Sequence, residues 1–263
     1  MSRLDFIVAG PQRTATSWLH DMLSQQPSVS LPRQVKETFF WDKYFEKGFD
    51  WYQRFFDEEG RSAIRGEVAP TVFASDTARE RIQSVAPDCR VMIILRDPVE
   101  RTLSHYRHES ALGLVRGSLE EAARTDPRIV EASRYSKYVP RWRDSFGEDR
   151  VHCIRYEKIR ESPEDVLHEV CRSLGVSVAV PFSELEGRPS QAKGVRFPGG
   201  ARLMYRSASL LRRFHFHRWV DWGKRIGVRK LVQTATPPPV TDEDRRFAEE
   251  ALQEEVRIMK DEL

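Results

Sequence analysis

FIVAGPQRTATSWL, residues 6–19, decides the fold. Phe6–Ala9 is a β-type apolar run that breaks at Gly10-Pro11. A turn of Arg, Thr and Ser follows. Trp18, Leu19, Met22 and Leu23 then recur at a spacing that predicts a helix over 16–25. Strand, tight turn and helix start is an arrangement that cradles phosphate-like anions. Backbone N–H groups at the helix start point at the anion, and the helix dipole favours its charge. Arg13 adds a cation, and Thr14, Thr16 and Ser17 add hydroxyl donors. The second Gly and the Lys of G-x-x-x-x-G-K-[ST] are absent, so this is not a Walker A loop. On these residues alone, an anion loop and an ordinary strand-to-helix turn with a Thr or Ser N-cap both remain open.

Working outward, VMIIL (91–95) and VHCIRY (151–156) are further strand candidates, with 63–67 a weaker one. The runs at 6–9 and 91–95 are nearly all apolar, as expected of strands buried on both faces of a parallel sheet. Helical patterns follow at 77–86, 98–111, 134–146 and 163–174. The last opens at Ser162-Pro163, is expected to bury Val166, Leu167, Val170, Cys171 and Leu174, and ends at Gly175. The alternation of β and α implies an α/β fold, a P-loop-like open parallel β-sheet with helices on both faces. A single domain over 1–263 is expected, since this length can bury one sizeable core. Pro237-Pro238-Pro239 is the clearest linker. Beyond it, Thr241-x-x-Asp244 reads as the capping box of a final helix with Phe247, Leu252 and Val256 inward.

Composition removes several classes. The 263 residues are 40% hydrophobic and 32% charged, as in an ordinary soluble globular protein. A net charge of +3 is too small to imply nucleic-acid binding. No apolar run approaches the roughly 20 residues that span a bilayer. Asp5 and Gly10-Pro11 interrupt any secretory signal. A cytoplasmic setting is the simplest expectation; a luminal enzyme without its anchor is the other. Cys89, Cys153 and Cys171 are too few and too scattered for a disulfide framework or a zinc site, and no metal is expected. Cys153 and Cys171 read as buried thiols.

Further segments agree with the opening loop. Residues 6–19 resemble the 5′-phosphosulfate loop of sulfotransferases that use 3′-phosphoadenosine 5′-phosphosulfate (PAPS). The usual pattern there is a basic residue, any residue, then Gly-Thr-Thr or Gly-Thr-Ser. Arg13 stands here for the common Lys and Ala15 for the common Gly. VMIILRDPVERTLSHYRH (91–108) looks like the family's 3′-phosphate segment. KETFFWD (36–42) resembles the Lys-Glu-x-x-Phe-Phe segment of the Golgi-type and heparan-modifying branches, and GFDWYQRFF (48–56) the stretch after it. GEVAPTVF (66–73), RYEKI (155–159) and the late Lys-Gly loop SQAKGVRFP (190–198) are similar too. The likeness runs in order from about residue 5 to about residue 198.

The resemblance implies the sulfotransferase fold and transfer of a sulfuryl group from PAPS to an acceptor hydroxyl, releasing 3′,5′-adenosine bisphosphate (PAP). Such a reaction asks the protein to align both partners and to stabilise charge on the leaving phosphate. At the 5′ end this falls to Arg13 and the backbone of Thr14, Ala15, Thr16, Ser17 and Trp18. Arg96 and Ser104 are placed for the 3′-phosphate; an Arg-Asp surface pair of Arg96 with Asp97 is the plainer reading. Lys193-Gly194 closes over the nucleotide, with Phe197 stacking on adenine. Arg196 belongs to the same loop but is displaced by one, because Val195 follows the Lys-Gly pair. Glu37 precedes two Phe and a Trp, an apolar wall expected to raise its pKa, and it aligns with the proposed general base of the Golgi-type enzymes. Lys36 steadies the bridging oxygen or the sulfonate. A solvated Lys-Glu pair is the alternative. His108, four residues after Ser104, is a second acid/base candidate, or else a surface histidine like His105. Val68 departs from relatives that carry a Lys after the Glu.

The acceptor implied is a carbohydrate or glycolipid, with a small-molecule natural product as the rival. A P-loop kinase and a non-catalytic nucleotide-binding protein are the readings outside the class. Residues 202–230 carry nine Lys/Arg against Asp221, interleaved with Tyr205, Phe214, Phe216, Trp219 and Trp222. This suits contact with an acidic glycan or a membrane surface, and equally amphipathic helices packed on the core.

Overall fold

The computed structural model describes residues 4–56, 64–185 and 239–261. Lys193, Gly194, Arg196, Phe197 and the basic segment 202–230 lie outside the described residues. The chain divides into two compact units, Met1–Arg96 with Tyr135–Ser190, and Asp97–Arg134 with Gln191–Leu263. In chain order the elements begin β1 (Phe6–Gly10), α1 (Thr16–Ser24), β2 (Val29–Ser30), α2 (Phe40–Lys43), α3 (Phe49–Gln53), β3 (Ile64–Val68), α4 (Asp76–Val85) and β4 (Arg90–Leu95). There follow α5 (Pro98–Ala111), α6 (Leu119–Thr125), α7 (Arg128–Glu131), α8 (Tyr135–Phe146), β5 (Val151–Arg155), α9 (Tyr156–Glu161) and α10 (Pro163–Leu174). The last two described helices are α11 (Asp242–Ala251) and α12 (Gln253–Asp261).

The first unit is a five-stranded parallel sheet in the order β2-β3-β1-β4-β5. Its central strand β1 pairs Ile7 with Glu67 of β3 and with Val91 of β4. Alternate residues face opposite sides. Phe6, Val8, Val68, Met92 and Ile94 form one core with Trp18, Leu19, Met22 and Leu23 of α1 and Val166, Leu167, Val170 and Leu174 of α10. Gly66 leaves room for this: a Cβ there would lie 2.3 Å from the Phe6 ring. Helix α8 packs on β4 and β5, and α4 packs on α8 and α2. The buried rings of Phe40, Trp41 and Tyr52 pack with centroids within 5.1 Å of one another, Phe40 stacked on Tyr52 and Trp41 edge-on to both.

The helices expected at 98–111 and 163–174 have those bounds. Pro at N1 starts each, and Gly175 at φ 74° ends the second. The Ser162 side chain makes no capping bond. Cys153 is only half-buried, because its strand lies at the sheet edge.

The second unit packs Val99, Leu103 and Tyr106 of α5 against Leu119, Ala122, Ile129 and Ala248. Buried Arg101 donates to Ser133 Oγ at 2.5 Å and to the Ile129 carbonyl. Asp244 takes its place in the capping box and also accepts from the Leu119 N–H at 2.7 Å. The final helix breaks at Leu252 into α11 and α12. Leu252 is inward, while Phe247 and Val256 are only partly buried.

Candidate active site

The loop at the carboxyl end of β1 does not have the Thr or Ser N-cap of an ordinary strand-to-helix turn. The N-cap of α1 is Ala15, in the left-handed conformation at φ 65°, and its methyl group has nothing to cap with. The Thr14 hydroxyl turns away and donates to the Pro11 carbonyl at 2.7 Å. Among the described residues, no side chain caps the amides at the start of α1, and a helix start of this kind can take an anion. Gly10 is required beside them. Its φ is +102°, and a Cβ would stand 2.6 Å from Pro70 Cα. Arg13 also has a positive φ of 74°. Ser17 is exposed, Thr14 and Thr16 are buried, and the Trp18 ring is in the core.

Two further cations reach this loop. Lys36, between β2 and α2, donates from Nζ to Thr16 Oγ1 at 3.0 Å and to Ser17 Oγ at 3.1 Å. Desolvation, and then the positive charge of Arg13, hold its ammonium down at about 8 against the attraction of Glu37 and Asp21. Arg96, just after β4, donates from Nη1 to the Arg13 carbonyl at 3.2 Å, with its guanidinium 4.7 Å from the Tyr156 ring. Asp97 is occupied as the N-cap of α5, accepting from Glu100 N at 2.8 Å.

Glu37 is engaged elsewhere than Lys36. Its Oε1 accepts from Thr71 N at 3.1 Å and from Thr71 Oγ1 at 2.5 Å. Part of its surface stays open to solvent. Burial nevertheless pushes the carboxyl up to about 7; the Thr71 bonds oppose this, and the nearby Glu67 charge adds to it. Fully buried Glu67 accepts from Thr38 N at 2.5 Å and Trp41 Nε1 at 3.2 Å, so β3 holds the backbone next to Glu37. Desolvation raises Glu67 to about 7 as well.

Glu67 and Thr71 were not among the residues that the sequence singles out. A lone Glu in the strand pattern IRGEV was the available signal for the first. Ser104 and His108 lie one turn apart on α5, in the second unit, each partly buried. His105 is buried rather than superficial, 3.3 Å from Arg101 Nη1 and 3.6 Å from Glu109.

The fold is that of an α/β protein with a lysine on the hydroxyls of the loop after its central strand and a carboxyl of raised pKa next to that lysine. Residues 3–189 match the sulfotransferase domain family, and the chain belongs to it. A bifunctional heparan sulfate N-deacetylase/N-sulfotransferase of Drosophila melanogaster is 25% identical over 281 residues, covering 87% of this chain and 26% of that protein. The mouse (Mus musculus) N-deacetylase/N-sulfotransferase 4 is 28% identical over 200 residues, covering 68% and 23%. The chain spans about a quarter of the length of these curated relatives. A sulfotransferase from Alicyclobacillus acidocaldarius shares the fold, with a TM-score of 0.61 at 24% identity over 81% of this chain and 94% of that one. Among the described residues, no helix is long and apolar enough to cross a membrane, and no group of three His, Cys, Asp or Glu is placed to hold a metal ion.

Proposed function

We propose that this protein transfers a sulfuryl group from PAPS to an acceptor hydroxyl, with Glu37 as general base. The observation that carries the reading is the divergence of two adjacent residues. Lys36 is held on the donor loop through Thr16 and Ser17, and Glu37 is held on Thr71. The loop amides, Arg13 and Lys36 stabilise charge on the leaving 5′-phosphate. Arg96 and, by family resemblance, Ser104 bind the 3′-phosphate; His108 is the second acid/base candidate. A base whose pKa is raised toward neutrality by burial gains driving force for taking a hydroxyl proton. The acceptor class proposed is carbohydrate, since the named relatives are heparan sulfate enzymes.

Calorimetry and an acceptor screen test this. PAP should bind without Mg²⁺ and much more tightly than AMP. Labelled PAPS should pass its sulfur to a glycan hydroxyl. Equal affinity for PAP and AMP would overturn the donor; transfer to small phenols or lipids alone would overturn the acceptor class.

A further inference from the structure

We infer that Thr71 is the positioning residue that commits the two oxygens of Glu37 to different tasks, Oε1 to the protein and Oε2 to the acceptor's proton. This rests on the reading of Glu37 as the base. A carboxylate oxygen has two lone-pair positions. On Oε1 both are taken, one by the Thr71 amide at 3.1 Å and one by the Thr71 hydroxyl at 2.5 Å. Among the described residues, no hydrogen bond is made to Oε2. The carboxyl plane is therefore fixed from one side. The hydroxyl that spends its one hydrogen on Oε1 cannot compete for the other oxygen.

Thr71 can do this because β3 ends close by. Ala69 N donates to Val8 O at 3.0 Å, tying the chain after β3 to the central strand. Two residues earlier Glu67 grips Thr38 N and Trp41 Nε1. The stretch 67–71 thus holds the base twice, by the backbone of its neighbour and by its own carboxyl. In the transfer step the acceptor O–H gives its proton to Glu37 Oε2 as its oxygen forms the bond to sulfur. The bond from sulfur to the 5′-phosphate oxygen breaks, and its electron pair stays with PAP. Glu37 afterwards returns the proton to water.

The two Thr71 bonds favour the ionised carboxyl, so their loss has a readable sign. Thr71→Val keeps the β-branched shape and the backbone N–H but lacks the hydroxyl. Thr71→Ser restores the hydroxyl. The measurements are the pH dependence of kcat/KM and the titration of the ¹³C-labelled Glu37 carboxyl by NMR in the unliganded protein, with Glu37→Gln giving the assignment. In Thr71→Val both the acidic limb and the NMR titration should move up by about one to two pH units. Thr71→Ser should return both toward the wild-type position. If neither moves in a folded Thr71→Val, the positioning role is overturned while Glu37 as base stands. If the NMR titration moves and the acidic limb does not, Thr71 orders Glu37 but the base reading fails, and the proton role of Oε2 with it.

Discussion

Replacing Glu37 by Gln separates a base from a structural carboxyl. The amide keeps the shape and an oxygen that can accept both Thr71 bonds, but it cannot take a hydroxyl proton. Turnover should fall by about 10²–10⁴-fold, the usual worth of general-base catalysis. PAP affinity should stay near wild type, because Lys36 and Arg96 reach the loop without it. The same substitution has a second readout. Burial holds the folded carboxyl at about 7 against an ordinary value of 4.5. The folded state therefore keeps a proton that the unfolded chain loses between those values. The stability this gives is full below pH 4.5 and is lost as pH rises through 7. At about 1.4 kcal/mol per pH unit, the ionised carboxyl costs about 3 kcal/mol above neutrality. That cost already includes the attraction of Lys36, which opposes it. The net expectation is a variant about 1–3 kcal/mol more stable than wild type near pH 8, with the gap narrowing toward pH 5. Urea unfolding at the two pH values, alongside steady-state turnover, measures both. Turnover within tenfold of wild type would sink the base. A stability difference that is the same at both pH values would refute the electrostatic argument.

Three other substitutions probe the donor side. Lys36→Met should abolish the alkaline limb of kcat/KM near pH 8, where the wild-type ammonium loses its proton, and an unchanged limb would remove Lys36 from the step. Arg96→Ala should weaken PAP binding about 10- to 100-fold and AMP binding far less, read by calorimetry. Equal losses would mean that Arg96 serves only the loop, through its bond to the Arg13 carbonyl. Ala15→Gly relieves a left-handed alanine at φ 65° but frees the unfolded chain, for a net gain of about 0.5–1 kcal/mol, a rise in Tm of about 1–4 °C. A fall in Tm would show that the Ala15 methyl group packs better than its backbone suggests.

What was legible in the sequence follows the range of the interactions concerned. The loop at 10–17 and the helices at 98–111 and 163–174 are written in neighbouring residues: an apolar run, a Pro at N1, a Gly at the helix end. β2, of only two residues, carries no pattern and exists because Ile64 and Arg65 pair with it across the sheet. The short helices α2 and α3 lie in an aromatic run without a helical period. Their rings pack on one another instead. The support of Glu37 was illegible for the same reason. Glu67 meets Trp41 and Thr38 across 26 and 29 residues, and Thr71 meets Glu37 across 34. The pair Lys36-Glu37 could be found from the resemblance, but not which element each side chain would join.

That last point decides how the pair works. Adjacent Lys and Glu on an open loop pair with each other loosely, for about 0–1 kcal/mol, and such a pair neutralises both charges where they are needed. Here each has a stronger engagement elsewhere, Lys36 with two hydroxyls of the donor loop and Glu37 with both donors of Thr71. Their mutual attraction persists as a field rather than a contact. It raises the lysine toward its charged form and lowers the carboxyl toward its own. Desolvation pulls each the other way and is the larger influence on both. The balance raises the carboxyl and lowers the ammonium, bringing the two titrations toward each other. The segment can sustain this only because Glu67 and Thr71, from β3 and the turn after it, fix the backbone of residue 38 and the carboxyl of residue 37. Without those two anchors the cheaper arrangement is the surface pair, which on the proposed mechanism would remove cation and base together.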